Sequence, residues 1–247
     1  MKKKIINWMR SQVKQAGAKG IILGLSGGID SALVAALSKE AVGKNKVLGL
    51  MMPIQSNPQD LKDALLTAKA LGISYKIVDL SKVYKLFFHA LPKGNKLALG
   101  NLKPRLRMMT LYYFANTYGY LVSGTGNKSE LSVGYFTKYG DGGTDILPIA
   151  DLLKKDVRRL SWEMGIPEKI ITKAPTAGLW PGQTDEGEMG ITYNELDGIL
   201  ECMENKSKPK TSKQKVDKVK KMMACSLHKR QGPKICYLKA KNLKCKA

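Results

Sequence analysis

The stretch Gly20-Ile-Ile-Leu-Gly-Leu25 runs directly into Ser26-Gly-Gly-Ile-Asp-Ser31 and then into a helix-forming segment that ends near Gly43. A short buried strand that turns through two glycines into a helix leaves the first helical N–H groups, and the positive end of the helix dipole, above the turn. Such a turn is a seat for an anion. Gly27 and Gly28 let the backbone approach phosphate oxygens with no Cβ in the way, and Ser26 and Ser31 add hydroxyl donors. Asp30 is out of place beside phosphates unless a Mg²⁺ ion bridges its carboxylate to them. The turn is neither a Gly-Lys-Ser/Thr loop nor a G-x-G-x-x-G turn.

Strand and helix patterns keep alternating through the first two-thirds of the chain, which predicts an α/β protein. Residues 20–25, 47–52, 73–80 and 120–123 read as strands. The first 15 or so residues read as an amphipathic helix with Ile5, Ile6, Met9 and Val13 on one side. A second helix covers 30–42. A third is capped by Ser56 or Asn57, with Pro58 in its first turn and Gly72 at its end. A long helix is expected after Lys103-Pro104, carrying Leu106, Met109, Leu111 and Tyr113 towards other elements. The expected fold is an open, mostly parallel, Rossmann-like sheet with helices on both faces, in a single domain spanning 1–247.

Regular alternation stops after residue 123. Residues 124–143 and 174–190 are irregular and glycine-rich, which marks candidate functional segments, with 134–143 and 180–190 as candidate lids. Between them, 152–164 reads as a helix closed by Gly165. Thr192-Tyr-Asn-Glu195 is a capping box that opens another helix. From about 205 the chain is polar and lysine-rich, and 205–215 reads as a mobile stretch.

The net charge is +22, and from Glu201 onward 15 lysines and arginines face 3 acids. That imbalance points to polyanions, nucleotides or nucleic acid, or else to lysines on solvated helix faces. No apolar run approaches the roughly 18–20 residues of a membrane span. The basic start lacks the apolar core of a signal peptide, so a cytoplasmic location is expected. Cys202, Cys225, Cys236 and Cys245 lie in the last fifth with no C-x-x-C pair, which predicts reduced thiols and no structural metal.

Ser-Gly-Gly-x-Asp-Ser after a strand resembles the pyrophosphate-binding loop of the N-type ATP pyrophosphatases, the adenine nucleotide alpha-hydrolase-like superfamily. Within it, the strings Gly100-Asn-Leu-Lys-Pro-Arg-Leu-Arg-Met108, Gly124-Thr-Gly-Asn-Lys-Ser-Glu130 and Gly134-Tyr-Phe-Thr-Lys-Tyr-Gly-Asp-Gly-Gly143 are similar to the ammonia-dependent NAD synthetases. So are Pro175-Thr176, the segment 180–190 and His228-Lys-Arg230. The resemblance implies conversion of deamido-NAD, ATP and ammonia into NAD, AMP and pyrophosphate through an acyl-adenylate. It assigns the ATP site to Gly24, Leu25, Ser26, Gly27, Gly28, Ile29, Asp30, Ser31, Thr125, Lys154 and Thr176. Asp30 and Glu130 are the implied Mg²⁺ ligands, and Asp30 and Lys154 the implied catalytic pair. Arg105, Lys138, Asp145, His228 and Lys229 are the implied deamido-NAD contacts. A homodimer is implied as well, with neither membrane nor nucleic acid as a partner.

These residue types suit the reaction, because a carboxylate must meet the α-phosphate of ATP and two anions then share one point. Mg²⁺ between Asp30 and Glu130 offsets that repulsion. Lys154 suits developing charge, Arg105 and Lys138 suit phosphates, and Asp145 suits a ribose or pyridine group. Taken one at a time, Arg105 and His228 read equally as surface groups and Glu130 as a partner for Lys128. Trp180 and Tyr135 suit either ring stacking or core packing. The chain departs from the family at Pro104, often alanine elsewhere, which is expected at a first helical position. The lysine-heavy tail is a second departure and bears on His228 and Lys229. No amidase segment precedes the synthetase motifs, so free ammonia is the expected donor. The rival readings are a tRNA-modifying ATP pyrophosphatase and a non-catalytic module that binds nucleotide or nucleic acid.

Overall fold

A computed structural model describes residues 1–180, 182–236 and 238. The chain begins with α1 (Lys2–Gln15), β1 (Gly20–Gly24), α2 (Ile29–Val42), β2 (Val47–Met51), α3 (Pro58–Leu71) and β3 (Ser74–Ile77). It continues with α4 (Ser81–Ala90), α5 (Lys96–Tyr118), β4 (Tyr120–Val122), α6 (Lys128–Val133), α7 (Lys154–Glu163) and α8 (Glu168–Ile171). Then come α9 (Asp185–Met189), α10 (Tyr193–Glu204) and α11 (Lys213–Cys225). All strand pairs among the described residues are parallel, in the order β3-β2-β1-β4.

Alternate residues of the strands serve opposite faces. Ile21 and Leu23 join a core with Met9, Leu33, Leu37, Val157 and Leu160, contributed by α1, α2 and α7. Ile22, Leu48 and Leu50 face the other way, into a core closed by Tyr84 and Leu106 of α4 and α5. The expected two-sided sheet is therefore present. A third apolar cluster, including Val133, Met189, Tyr193, Leu196 and Val219, gathers α6 and α9–α11 beside the sheet.

Three expectations are corrected here. The helix carrying Arg105 begins at Lys96, with Asn95 as its cap, so Pro104 lies inside it and is no helix start. The proline ring costs the helix one i→i−4 bond to the Gly100 carbonyl, but it is buried, and a Cβ on Gly140 would stand 3.0 Å from it. Leu106 of α5 is buried, whereas Met109 and Tyr113 are 58% and 68% exposed. The end of the stretch expected to be mobile, 213–215, instead begins the helix α11, capped by Ser212.

Candidate active site

Strand order reverses between β1 and β4: β1 is followed in space by β2 on one side and by β4 on the other. In open parallel sheets the crevice at such a switch point, beyond the carboxyl ends of the strands, is where ligands bind. Here it opens into a cavity of about 600 Å³ lined by the turn after β1 and by Ser123, Gly124 and Thr125 after β4.

The turn braces itself. The Ser31 hydroxyl donates to the Gly28 carbonyl at 2.9 Å, the Ser26 N–H donates to Ser31 Oγ at 3.3 Å, and the Gly28 N–H donates to Ser26 Oγ at 3.2 Å. Gly28 caps α2 without any side-chain bond, so no protein side chain covers the first helical N–H groups. Gly27 has φ +80, and a Cβ there would stand 2.4 Å from the Asp60 carbonyl oxygen. Only glycine fits this position.

Charge concentrates at one end of the turn. The Lys154 ammonium, on a side chain only 2% exposed, donates to Asp30 Oδ2 at 2.6 Å and to Glu130 Oε1 at 3.2 Å. Asn127 Nδ2 donates to the other Asp30 oxygen at 2.9 Å. Tyr193 donates its phenol hydrogen towards Glu130 Oε1 at 3.2 Å and Asp185 Oδ2 at 3.0 Å. Burial alone would lower the Lys154 pKa, but Asp30 and Glu130 hold it above its ordinary value. The Glu130 carboxyl is raised to about 7, chiefly by burial and further by Asp30 and Asp185, against the pull of Lys154.

Three carboxylates around one ammonium leave an excess of negative charge, and the buried Asp185 Oδ1 has no hydrogen-bond partner. Both observations fit a cation brought in with the substrate. Among the described residues no cluster of three or more His, Cys, Asp or Glu would ligate a metal unaided. Oxygens of the nucleotide would have to complete the shell around an ion held by Asp30 and Glu130.

Local sequence explains this placement. Asn127 and Glu130 form a capping box on α6, which fixes the direction in which Glu130 points. Lys154 is the first residue of α7, whose cap residue Leu153 has no side chain able to accept a bond. The cap is supplied at a distance: Ser129 Oγ accepts from the Lys154 N–H at 3.0 Å and donates to Asp197 Oδ1 at 2.5 Å, while Asp197 Oδ2 accepts from the Lys155 N–H at 2.9 Å.

The expected ATP residues converge. Gly24, Leu25, Ser26, Gly28, Ile29, Asp30, Ser31, Thr125, Lys154 and Thr176 all line the cavity, together with Glu130. Gly27 sits behind its lining, buried under Asp60. The expected dinucleotide residues do not gather in the same way, and only Lys229 reaches the cavity wall. Lys229 donates to the carbonyls of Gly134 and Phe136 at 2.7 and 2.8 Å, and burial lowers its pKa. Lys138 donates to the carbonyls of His228 and Gln231 at 2.5 and 3.0 Å. Arg105 is exposed and touches the Lys138 carbonyl at 3.4 Å. The imidazole of His228 is exposed. Both oxygens of Asp145 are engaged, one by the Tyr112 hydroxyl and one by the Val122 N–H, each at 2.8 Å. Lys128 pairs with Asp151 and Glu204, which frees Glu130 from that role.

Sequence reasoning missed Asn127, Arg107, Lys173, Asp185 and Tyr193. Asn127 carries a readable signal, the Asn-x-x-Glu spacing of a capping box. Arg107 lines the cavity and donates to the Met52 carbonyl at 3.1 Å, and burial lowers its pKa. Lys173, Asp185 and Tyr193 show no local pattern, because only tertiary folding brings them to this place.

A parallel sheet with a self-braced glycine turn at its switch point, and paired carboxylates around a buried lysine, defines a nucleotide-binding protein of the adenine nucleotide alpha-hydrolase type. The chain belongs to the NAD synthase family, whose model matches residues 1–233. It is 49% identical to an NH(3)-dependent NAD(+) synthetase of Carboxydothermus hydrogenoformans over 240 residues, covering 95% of this chain and 96% of that protein. Among solved structures it is similar to the NMN synthetase of Francisella tularensis (TM-score 0.88, 37% identity, 95% and 96% of the two chains). It is also similar to the NH3-dependent NAD synthetase of Campylobacter jejuni in complex with the nitrate ion (TM-score 0.83, 32% identity, 96% and 97%).

Proposed function

We propose that the protein makes NAD from deamido-NAD, ammonia and ATP, with residues 1–247 acting as one catalytic domain. The observation that carries this reading is the Asp30–Lys154–Glu130 cluster at the end of the glycine turn, inside a cavity large enough for a nucleotide. The turn from Gly24 to Ser31 receives the phosphates of ATP, with Thr125 and Thr176 on the cavity wall. The nicotinate carboxylate of deamido-NAD attacks the α-phosphorus, and the bond to pyrophosphate breaks. Lys154, fixed by two carboxylates, offsets charge that develops on the α-phosphoryl oxygens and needs no reorganisation to do so. Ammonia then attacks the acyl carbon, AMP departs, and the new amide nitrogen loses a proton. A Mg²⁺ ion held by Asp30 and Glu130 supplies neutralising charge for the phosphates when bound. Arg105, Lys138, Asp145, His228 and Lys229 are proposed to contact deamido-NAD from the side away from the glycine turn.

A homodimer accords with the apolar residues exposed along α4 and α5, among them Leu86, Phe87, Phe88, Met109 and Tyr113. Sedimentation at micromolar concentration tests it, and a monomer would refute it. Among the described residues no helix is long and apolar enough to cross a membrane. A cytoplasmic location, where ATP is supplied, is part of this proposal. A thiolating tRNA enzyme would need a cysteine at the nucleotide. Cys202, Cys225 and Cys236 are free but line no part of the cavity, and Cys245 lies outside the described residues.

The test mixes protein, ATP, magnesium, ammonium and deamido-NAD, and measures NAD and pyrophosphate. Nicotinate mononucleotide replaces the dinucleotide in a parallel arm, because of the likeness to an NMN synthetase. NAD as the faster product is expected; a clear preference for the mononucleotide would overturn the substrate assignment. Asp30→Ala should abolish adenylation in a folded protein, and activity within a few-fold of the parent would contradict its role.

A further inference from the structure

One charged cluster at the cavity lies outside the machinery described above. Lys173 follows α8 and begins the segment that carries Thr176. Its ammonium donates to Asp60 Oδ1 and Asp63 Oδ2, both at 2.8 Å, and to the Gly27 carbonyl at 3.4 Å. An ammonium has three donors, and all three are used. Lys173 therefore has none left for a phosphate, although it lines the cavity. What it holds is the turn.

The geometry of a single peptide unit shows the consequence. In a planar trans peptide the C=O and the following N–H point in opposite directions. With the Gly27 oxygen turned towards Lys173, the Gly28 N–H is aimed the other way, to the side where Ser26 Oγ accepts it at 3.2 Å and where Ser26 and Gly28 border the cavity. A flip of this peptide would instead present a carbonyl oxygen to the phosphates. Such a flip rotates ψ of Gly27 and φ of Gly28, and both residues are glycines, which tolerate these changes at little cost. Asp60 reinforces the lock from behind, since its own carbonyl oxygen packs where a Cβ at Gly27 would stand. The acids are themselves well anchored. Asp63 is 2% exposed and also bound by Lys169 at 2.9 Å and by the Gln59 amide at 2.7 Å. Burial alone would raise its pKa, yet these partners hold it at about 2.

We infer that Lys173 is a positioning residue for the pyrophosphate half of ATP: clasped by Asp60 and Asp63, it pins the Gly27 carbonyl so that the Gly28 N–H keeps facing the cavity, where a phosphate oxygen can replace Ser26 Oγ as its acceptor. This rests on the glycine turn receiving the phosphates, as proposed above. It also ties the base of the 174–180 segment to the turn, so that the two sides of the cavity share one anchor.

The test compares Lys173→Met, which keeps the stem and loses the ammonium, with Lys173→Arg, which keeps the charge. Calorimetric titration in magnesium buffer reads the affinities for ATP, pyrophosphate and AMP. Lys173→Met is expected to weaken ATP and pyrophosphate by about tenfold, with AMP within about twofold, the size of one lost charge-assisted contact. Lys173→Arg is expected to recover part of that loss. An equal loss for AMP would show general damage, and no loss for pyrophosphate would show that the turn needs no pin; either overturns the inference. Should Lys173→Met fail to fold because Asp63 is left short of counter-charge, Lys173→Met with Asp63→Asn removes both charges and is read in the same way. NAD formation by the unmodified protein is measured separately. If no NAD forms but the split between pyrophosphate and AMP holds, the activity falls and the role of Lys173 stands.

Discussion

The two halves of the proposed site are built differently. On the ATP side, charged groups meet charged groups in buried surroundings: Lys154 with Asp30 and Glu130, and Lys173 with Asp60 and Asp63. On the dinucleotide side, cations meet backbone carbonyls near the surface: Lys229 on Gly134 and Phe136, Lys138 on His228 and Gln231, and Arg230 on Leu131 and Ser132. Opposed charges in low dielectric fix one geometry, because every alternative leaves an uncompensated charge. Lysine on carbonyls is more forgiving, since any oxygen of suitable reach will serve. The first half has the set geometry that the proposed triphosphate seat requires. The second holds the 134–138 segment against residues 228–231 and leaves its cations able to exchange carbonyls for a ligand.

The largest effect that could break this contrast is expected at Lys154. Lys154→Met leaves the largely buried Asp30 and Glu130 carboxylates without their ammonium, so roughly 3–5 kcal/mol of stability should be lost near neutral pH. Adenylation should fall by about 10²–10³-fold. Urea unfolding and ATP–pyrophosphate exchange measure the two, and a stable, active variant would show that the seat is not set by charge.

Next comes the pH dependence. Glu130 binds its proton more tightly in the folded protein, at about 7 against an ordinary 4.5. Its contribution to stability is therefore fully present below pH 4.5 and is lost as pH rises through 7. Melting temperatures of the ligand-free protein should reflect that fall, and Glu130→Gln should flatten it. An unchanged slope in the variant would place the titration elsewhere.

Asp145 sharpens the comparison from the other side. Asp145→Ala strands the Val122 N–H and the Tyr112 hydroxyl, for an expected cost of about 1–3 kcal/mol. If stability falls while the KM for deamido-NAD does not move, Asp145 is a bracket between α5 and β4 and not a substrate contact. The smallest effects are expected at the surface cations. Arg105→Ala should raise the KM for deamido-NAD by about tenfold and leave that for ATP alone. His228→Ala should do less. A change in ATP affinity in either variant would mean that the halves are not separate.

Where a signal is local, the sequence reads well. The glycine turn, the Asn57 and Gly72 caps of α3, and the Thr192–Glu195 box of α10 all lie where their residue types require. The start of α5 is misread from sequence because Pro104 satisfies the rule for a first helical position, while the actual start depends on the Asn95 cap nine residues earlier. α6 was hidden in a glycine-rich stretch, since six residues are too few to show a helical period. The expected ATP residues converge because one turn and the ends of two strands hold most of them. The rest of the seat was unreadable for the opposite reason: Asp185 and Tyr193 reach Glu130 only after a third apolar cluster has packed beside the sheet.

The cap of α7 bears on how the chain matures. Lys154 begins a helix whose first N–H groups rely on Ser129 and, 42 residues further along the chain than Lys155, on Asp197. On the ribosome, the sheet can assemble as soon as β4 has emerged, yet the first turn of α7 keeps only the Ser129 half of its cap until α10 follows. A nascent or truncated chain ending before that helix would own the glycine turn with Lys154 on a half-capped helix.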